Sequence, residues 1–390
     1  MILRIPDYFE DFHCLGEACP DTCCIGWELE IDEATYDYYR SVPGAFGRRL
    51  RAAMADAAKD GEAARTFCLK VDGRCPFLNR QNLCEIVLEL GPEALPEVCT
   101  EYPRRTFSFG PYITRSLTLS CPEVARMLLT SDPPVHFPEV DLSERVLADT
   151  EITVKGDGSP EPAAAGDASD DPSDAPGEDA EGLPADFTAK VRDRAIGLLE
   201  DRGRAFADRL GRFLRYAEAV QQGIDAGLRT DGQLFSMEET GFERCGDTAE
   251  KPQKESPEDL RAAFAKRLEL LEKLEDISPR WEKERAALSA MAGAPPFPEF
   301  YDDVRAEHLM TYYTDRYFPL AWYDGDLLGK ARFAVFSLLV QMDLLTLRAR
   351  KRGEKPGAQD WIEVVSLYSA EVENSEYNTE LLLEALGQSL

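Results

Sequence analysis

All ten cysteines except Cys245 lie within the first 121 residues, and four of them fall inside the short run CLGEACPDTCCIG. These four are Cys14, Cys19, Cys23 and Cys24, and the remaining N-terminal thiols are Cys68, Cys75, Cys84, Cys99 and Cys121. Metal centres in proteins are built in this way, with one loop supplying closely spaced ligands and distant loops closing the shell. The spacing therefore predicts an N-terminal region organised around metal-bound thiolates.

The cellular compartment decides between metal ligation and disulfides. The N-terminus carries Asp7, Glu10 and Asp11 and lacks a long apolar core, so it is not typical of a signal peptide. No stretch of about 18 apolar residues is present, so no membrane insertion is expected. These features predict a cytoplasmic protein, in which thiols stay reduced and a disulfide framework is not expected.

The alternative for each cysteine is a small buried hydrophobe without a ligand role. We favour that alternative for Cys68 and Cys245 and leave Cys24 and Cys121 between the two interpretations. We favour ligation for Cys14, Cys19, Cys23, Cys75, Cys84 and Cys99. Thiolates are soft donors that suit zinc and iron–sulfur clusters. The irregular spacings fit an iron–sulfur site at least as well as zinc, and the number of thiols allows two centres.

The charge of the chain is uneven. The formal net charge of −29 argues against a nucleic-acid-binding surface. Residues 156–186 alone hold ten acidic residues and no basic one, in a context rich in Gly, Pro, Ala and Ser, which predicts disorder. We therefore divide the chain into a cysteine-rich metal-cluster domain (1–150), an acidic disordered linker (151–186) and a helical domain (187–390).

The pattern of apolar residues predicts a mainly α fold. A helical stretch around 33–59, broken near Pro43, is expected in the irregular cysteine-rich region, together with short strands such as YITRSLTLS. The helical C-terminal region should contain a helix with Asp186 as its N-cap, one that opens at Ser256 and Pro257, and a long apolar helix from DLLGKARF to RARK.

Three segments carry a resemblance to a known family. They are the opening cysteine run, CPFLNRQNLCEIVLELGPEALPEVCTEYPRR with SLTLSCPEVARMLL, and HLMTYYTDRYFPLAWYDGDLLGKARFAVFSLL. Together they resemble the flagellin lysine-N-methylase (FliB) family, within a broader group of zinc- or iron-chelating cysteine-cluster proteins. The likeness covers about 1–130 and about 297–345.

This resemblance implies transfer of methyl groups from S-adenosylmethionine to lysine side chains of flagellin. We expect flagellin or another surface protein to be the substrate. It also implies an iron–sulfur cluster, most plausibly 4Fe–4S, with the cluster role falling on Cys14, Cys19, Cys23, Cys24, Cys75, Cys84, Cys99 and Cys121. A zinc- or iron-binding protein with a structural, metal-handling or redox role, and without methyl transfer, is the alternative.

The residues themselves show neither usual site for the methyl donor. No strand followed by a glycine-rich loop and a helix is present. The Cys-x3-Cys-x2-Cys motif of radical enzymes is matched only by Cys19 and Cys23, because position 26 is Gly. Arg104 and Arg105 could pair with a carboxylate of the cofactor or neutralise the cluster. His13 could be an extra ligand or a hydrogen-bonding group.

Methylation of lysine needs a neutral amine, which a nearby base or desolvation can provide. The candidate side chains are Tyr312, Tyr313, Asp315, Tyr317, Tyr323 and Asp324. The alternative is that the aromatic residues form one face of a core helix and that Asp324 with Gly325 forms a turn. The sequence assigns no oligomeric state.

Overall fold

The computed structural model describes residues 1–25, 29–59, 62–142, 182–230, 257–291 and 302–387. The helices, in chain order, are α1 Glu33–Ser41, α2 Gly44–Ala53, α3 Glu85–Leu90, α4 Glu97–Glu101, α5 Pro122–Leu129, α6 Ala185–Leu199, α7 Phe206–Asp225, α8 Pro257–Leu271, α9 Pro279–Ser289, α10 Asp303–Tyr317, α11 Ala321–Asp324, α12 Leu327–Arg352, α13 Ala358–Val372 and α14 Glu376–Gly387. The strands are β1 Ile2–Arg4, β2 Met54–Lys59, β3 Glu62–Phe67, β4 Arg104–Phe109, β5 Tyr112–Leu117 and β6 Glu139–Asp141. The predicted mainly α fold, with short strands in the N-terminal half, is confirmed.

A short sheet organises the N-terminal region. Its strand order is β4-β5-β1-β6, with β1 parallel to β5 and the other neighbours antiparallel. The predicted strand in YITRSLTLS is confirmed as β5, which ends at Leu117. Thr114 and Ser116 alternate along this strand and are buried, so one face of the sheet carries polar groups into the interior.

The helical stretch predicted for 33–59 holds only in part. Helix α1 begins after Asp32, whose side chain accepts a hydrogen bond from the Thr35 N–H at 2.9 Å. The break near Pro43 is confirmed, since α2 begins at Gly44. The last part of the prediction was wrong, because residues 54–59 pair with residues 62–67 as an antiparallel hairpin, which satisfies their backbone groups outside a helix.

The C-terminal half consists of packed helices. The long apolar helix is confirmed as α12, which ends in basic residues and is closed by Gly353 at a φ of 74°. Helix α6 begins one residue before Asp186, so Asp186 lies in the first turn and Pro184 occupies the N-cap. In the part of the chain that the structure describes, no helix is long and apolar enough to cross a membrane. Most of the predicted acidic linker lies outside the described residues.

Two hydrophobic cores share the molecule. The larger one joins Phe9, Phe12 and helix α5 to helices α10, α12 and α13. The smaller one is formed within residues 29–99, and its buried members include Leu29, Ile31, Tyr39, Leu50, Phe67, Phe77 and Ile86. The segment that contains the smaller core therefore lies, in sequence, between β1 and β4 of the sheet.

Hydrogen bonds fasten the sheet region to the C-terminal helices. The buried Arg4 Nε donates to Asp315 Oδ1 at 2.8 Å. The two ring nitrogens of His308, on α10, lie 2.9 Å from the carbonyl oxygens of Leu128 and Pro133. Helix α10 therefore belongs structurally with the N-terminal sheet as much as with the helices that follow it.

Candidate metal centre and a buried polar site

Four thiols border the smaller core and form what we call the inner thiol group, which is Cys24, Cys75, Cys84 and Cys99. The Cys75 N–H donates to the Cys24 carbonyl oxygen at 2.8 Å, so two distant loops meet here. Cys84 pairs with Leu78 as an isolated β-bridge and then forms the N-cap of α3. Cys99 lies within the short helix α4.

The members of the inner thiol group affect one another's pKa values. Burial raises the pKa of Cys75 to about 12, and the charges of Cys24 and Cys84 add to the rise. Burial likewise raises the pKa of Cys99, with Cys24, Cys75 and Cys84 adding to it. Cys75 and Cys99 therefore lie where the protein alone does not favour thiolates. A bound cation would reverse that preference.

A second set, the outer thiol group, consists of Cys14, Cys19 and Cys121. Burial raises the pKa of Cys121 to about 11, and the charges of Cys19 and Cys14 add to the rise. Cys121 is also the N-cap of α5, whereas Cys14 is exposed. The presence of two metal centres stays a prediction.

Cys23 lies between the two thiol groups. Its Sγ is 4.0 Å from the Sγ of Cys24, and the charges of both Cys99 and Cys14 act on it. The hydrogen bond between the adjacent thiols raises the pKa of Cys23 and lowers that of Cys24 to about 7. The neighbouring Arg74 guanidinium also favours the Cys24 thiolate. Cys24 is therefore the most readily ionised member of this pair.

Taken three at a time, the described thiols are spaced more widely than the ligands of a metal shell. Among the described residues, no three His, Cys, Asp or Glu side chains stand close enough to hold one metal ion. The assignment of the eight predicted ligands therefore stays a prediction. His13 Nδ1 lies 2.9 Å from the Asp11 carbonyl oxygen, in an exposed loop.

The structure contradicts the interpretation of Cys68 as a buried hydrophobe, because this side chain is exposed. Strand β3 ends at the buried Phe67, and successive side chains of an extended chain take opposite sides. The next residue is therefore directed away from the core. Cys245, which received the same interpretation, lies outside the described residues.

A surface cavity of about 820 Å³ lies close to the inner thiol group. Its lining includes the basic residues Arg49, Lys70, Arg74 and Arg80. Leu78, which bridges to Cys84, lines it as well. The lining also includes the acidic residues Asp72 and Glu85, and Glu85 pairs with Arg49. Four basic residues against two acidic ones leave the cavity basic in a chain of net charge −29.

A buried polar site lies at the end of α13. The Glu373 Oε2 atom accepts hydrogen bonds from the Tyr312 hydroxyl at 2.8 Å and the Tyr317 hydroxyl at 3.1 Å. It also lies 3.1 Å from Arg316 Nε. The other carboxylate oxygen, Oε1, is buried and has no hydrogen-bond partner among the described residues. This orphaned acceptor is the most unusual polar atom of the arrangement, because buried carboxylate oxygens are normally satisfied.

Arg105 of strand β4 completes this arrangement, which we call the Glu373 site. Arg105 lies directly opposite Ser116 in the β4–β5 pair, and Arg316 Nη1 is 3.3 Å from Ser116 Oγ. Burial and the charge of Arg316 lower the pKa of Arg105, and the charge of Glu373 opposes the shift. Within the described ranges, Arg105 forms no ion pair with an acidic side chain. Its neighbour Arg104 instead lies over the ring of Phe12, 5.4 Å from the centroid.

The Glu373 site adjoins the outer thiol group. The Ser120 hydroxyl donates to Asn374 Oδ1 at 3.3 Å, and Ser120 and Asn374 directly neighbour Cys121 and Glu373 in sequence. Tyr102 shares a hydrogen bond with Ser120 at 3.1 Å. Burial raises the pKa of Tyr102, and the charges of Cys121, Cys23 and Cys19 add to the rise. The polar site and the outer thiols are thus two parts of one region.

The other buried candidates have structural partners. Tyr313 is fully buried, and its hydroxyl accepts a hydrogen bond from Gln341 Nε2 at 2.6 Å. Asp315 is held by Arg4. The structure therefore brings Tyr312 and Tyr317 together at one carboxylate and places Tyr313 and Asp315 in other contacts.

The last two candidates are nearer the surface. Tyr323 is 42% exposed, and its ring lies 5.8 Å from that of Phe107. Asp324 ends helix α11, accepts a hydrogen bond from the Asp326 N–H at 2.9 Å and pairs with Lys330. Gly325, at a φ of 68°, turns the chain after it. This local geometry is that of a helix end.

Sequence reasoning missed two members of the site. Arg316 lies between the predicted tyrosines, four positions after Tyr312, so its helical spacing was a usable signal. Glu373 lies in a segment with several other acidic residues, SAEVENSEYN, and nothing in the sequence distinguishes it from them. Only the packing of α13 against the sheet region brings Glu373 to the tyrosines.

Comparison with known proteins identifies relatives of this chain. It is 32% identical over 133 residues to the flagellar biosynthetic protein FliU of Salmonella muenchen, which covers 33% of this chain and 76% of the relative. It is 32% identical over 147 residues to the lysine-N-methylases of Salmonella choleraesuis and Salmonella typhimurium, which covers 36% of this chain but only 35% of each relative. No protein-family model and no solved structure matches the chain. The extent of the FliU match and the names of the other two relatives, together with the motifs, show that the chain belongs to the flagellin lysine-N-methylase (FliB) family.

Proposed function

We propose that this protein is a lysine N-methyltransferase that modifies flagellin side-chain amines, uses S-adenosylmethionine as methyl donor and depends on a cysteine-ligated iron–sulfur cluster. The names of the relatives support the reaction class and the flagellar context. The observation that carries the proposal in this chain is the Glu373 site, where one buried carboxylate oxygen pairs with Arg316 and the other has no partner among the described residues. Such a site suits a small, charged molecule that supplies the missing contacts.

The thiols fit the proposed cluster by their chemistry. The inner thiol group supplies four sulfur donors from loops that already meet, and all-thiolate sets of four hold iron–sulfur clusters. The outer group, with Cys23, is a second set of four. A bound cluster would fix the loops of its group and supply a redox-active centre. Ligation would draw the thiols of one group into a common shell.

The chain's own residues have defined tasks in the proposed reaction. The amine lone pair of lysine forms a bond to the donor's methyl carbon while the carbon–sulfur bond breaks, which leaves a thioether and a methylated ammonium. Both reactants must be held in line and away from water. The Tyr312 and Tyr317 hydroxyls are fixed by the same Glu373 oxygen, and burial raises the pKa of both, so they remain neutral hydrogen-bond donors.

Anaerobic purification and an assay of iron, acid-labile sulfide and zinc test the metal. Iron with sulfide supports the proposal, and stoichiometric zinc without sulfide contradicts it. Incubation with S-adenosylmethionine and flagellin, followed by mass spectrometry, tests the reaction. We expect methyl-lysine from the cluster-loaded protein and a large loss of rate in Tyr317→Phe. The matched control is Tyr323→Phe, which removes an exposed hydroxyl outside the Glu373 site. Absence of methyl-lysine with loaded protein would refute the proposed activity.

A further inference from the structure

We propose that the Glu373 site binds the zwitterionic α-amino-acid head group of the methyl donor, with the carboxylate on Arg105 and the ammonium on Glu373 Oε1. This inference rests on the proposed function, because it identifies which part of the donor the site recognises. Neither the names of the relatives nor the sequence motifs assign a binding role to Glu373.

The two arginines of the site, Arg105 and Arg316, favour the binding of an anion. Arg105 lies directly opposite Ser116 in the β4–β5 pair, and Arg316 Nη1 is 3.3 Å from the Ser116 hydroxyl oxygen, so both arginines belong to the surroundings of Ser116. Glu373 is the carboxylate that pairs with Arg316, so two guanidinium groups share one negative charge. A partly buried guanidinium without a counter-ion is costly, and its planar fork matches a carboxylate.

The carboxylate of Glu373 favours the binding of a hydrogen-bond donor. Glu373 Oε2 is already occupied by Tyr312, Tyr317 and Arg316. Oε1 is buried and without a partner, and an ionised carboxylate oxygen can only accept hydrogen bonds. No described residue donates to Oε1, so a water molecule or a donor on a ligand can fill this position. A ligand ammonium provides donors and a compensating charge together.

The two halves together select the ligand class. A simple amine, such as a lysine side chain, would satisfy Glu373 but leave Arg105 unpaired. A phosphate or an isolated carboxylate would satisfy Arg105 but leave Glu373 Oε1 unpaired and repelled. An α-amino acid carries both charges on groups bonded to one carbon atom. Arg105 lies opposite Ser116, which contacts Arg316, and Arg316 pairs with Glu373, so the two receptors belong to one cluster.

Isothermal titration with three probes tests the proposal on the full chain, prepared anaerobically. S-Adenosylhomocysteine carries the head group, 5′-methylthioadenosine lacks it, and L-methionine carries it without the nucleoside. We expect Arg105→Met to weaken binding of S-adenosylhomocysteine about 10- to 100-fold and to leave binding of methylthioadenosine unchanged. Glu373→Gln should show the same selective loss. Arg104→Met is the matched control, because Arg104 lies over Phe12, and it should bind all probes as the parent protein does.

The outcomes separate this proposal from the proposed function. If the parent protein binds S-adenosylhomocysteine and Arg105→Met binds it equally well, the head-group assignment is overturned while the methyltransferase proposal stands. If the parent protein binds neither nucleoside, the assignment of S-adenosylmethionine as donor fails. Binding of L-methionine then tests whether the site recognises an α-amino-acid head group. Binding of L-methionine that is lost in Arg105→Met supports a head-group site, and no binding overturns it. Far-UV circular dichroism and a thermal melt confirm that each variant is folded.

Discussion

Arg316 Nε lies 3.1 Å from Glu373 Oε2, and these two charged side chains meet where helix α10 packs beside the end of helix α13. The Glu373 side chain is fully buried and that of Arg316 nearly so. A buried pair of this kind contributes little net stability when intact, but removal of one partner leaves the other charge buried. The pair is therefore sensitive to truncation.

Glu373→Ala is expected to lower the free energy of unfolding by about 3–5 kcal/mol, since it leaves the Arg316 guanidinium without its carboxylate. Glu373→Gln keeps the shape and the acceptor oxygen and should cost less. Urea titration of both variants measures the difference. The exposed Glu269→Ala is a control and should change the free energy by at most about 0.5 kcal/mol. Equal stability of Glu373→Ala and the parent protein would contradict this role.

We predict that Asp315 stabilises the fold through its bond to Arg4. Any loss of activity in Asp315→Asn should therefore match the loss of folded protein. The Arg4 Nε–Asp315 Oδ1 bond is 2.8 Å long and buried. Because Asn keeps an acceptor oxygen and Arg4 also pairs with Glu139 and Asp193, we expect a cost of about 1–3 kcal/mol. Thermal melts and methylation rates per folded molecule distinguish the two effects. A well-folded Asp315→Asn protein with a strongly reduced rate would instead assign Asp315 to the reaction.

The inner thiol group should lose its metal when one member is replaced. We expect Cys75→Ser to have lower metal content and lower soluble yield together, because metal binding and folding are coupled. Cys19→Ser tests the outer group in the same way. Cys68→Ser is the matched control, since Cys68 is exposed and belongs to neither group. Iron, sulfide and zinc per chain provide the measurement, and full metal content in Cys75→Ser would exclude it as a ligand.

Glu200 should make stability depend on pH. Burial and then the charge of Glu307 raise the pKa of Glu200 from 4.5 to about 7, while His136, Arg202 and Arg4 oppose the rise. Between these two values the folded protein binds the proton more tightly than the unfolded chain does. The free energy of unfolding therefore falls as the pH rises from about 4.5 to 7 and is unaffected by this group above that range.

Glu200→Gln tests this dependence. It should reduce the slope by the part that Glu200 contributes, while the buried Asp343 and Glu371, whose pKa values are also raised, keep theirs. The stability at pH 7.5 should increase by about 1–2 kcal/mol, a value reduced from the full linkage because Glu200 is partly exposed. Urea titrations at several pH values measure it. Glu218→Gln, on an exposed part of α7, should keep the slope of the parent protein. An unchanged slope in Glu200→Gln would contradict the assignment.

Local patterns predicted much of the fold, and long-range packing decided the rest. The long apolar helix α12 and strand β5 followed from periodicity, because each pattern is set within a few turns or residues. The hairpin after Ala53 was missed, since its backbone pairing depends on a partner segment rather than on helical propensity.

Some residues of the candidate site could likewise be predicted from local motifs, and others only from the tertiary fold. Tyr312 and Tyr317 were found because they lie in one motif, and Arg105 because it follows a distinctive Cys and Pro segment. Glu373 could not be found, since only the tertiary fold brings this residue, 61 positions away, to Tyr312. The division of thiols into two groups likewise depends on which loops meet in space.

The bond between Arg4 and Asp315 also has a consequence for synthesis, because its partners are 311 positions apart. At a translation rate of about 5–20 residues per second, Arg4 leaves the ribosome roughly 15–60 s before Asp315 is made. The four strands can pair during this interval, since all of them precede position 142. The polar face of the sheet, however, stays exposed to solvent until α10 has been synthesised. A nascent chain stopped before α10 should therefore expose Arg4 and the Ser116 face to solvent, and native packing of that face should appear only after the last third of the protein has been released.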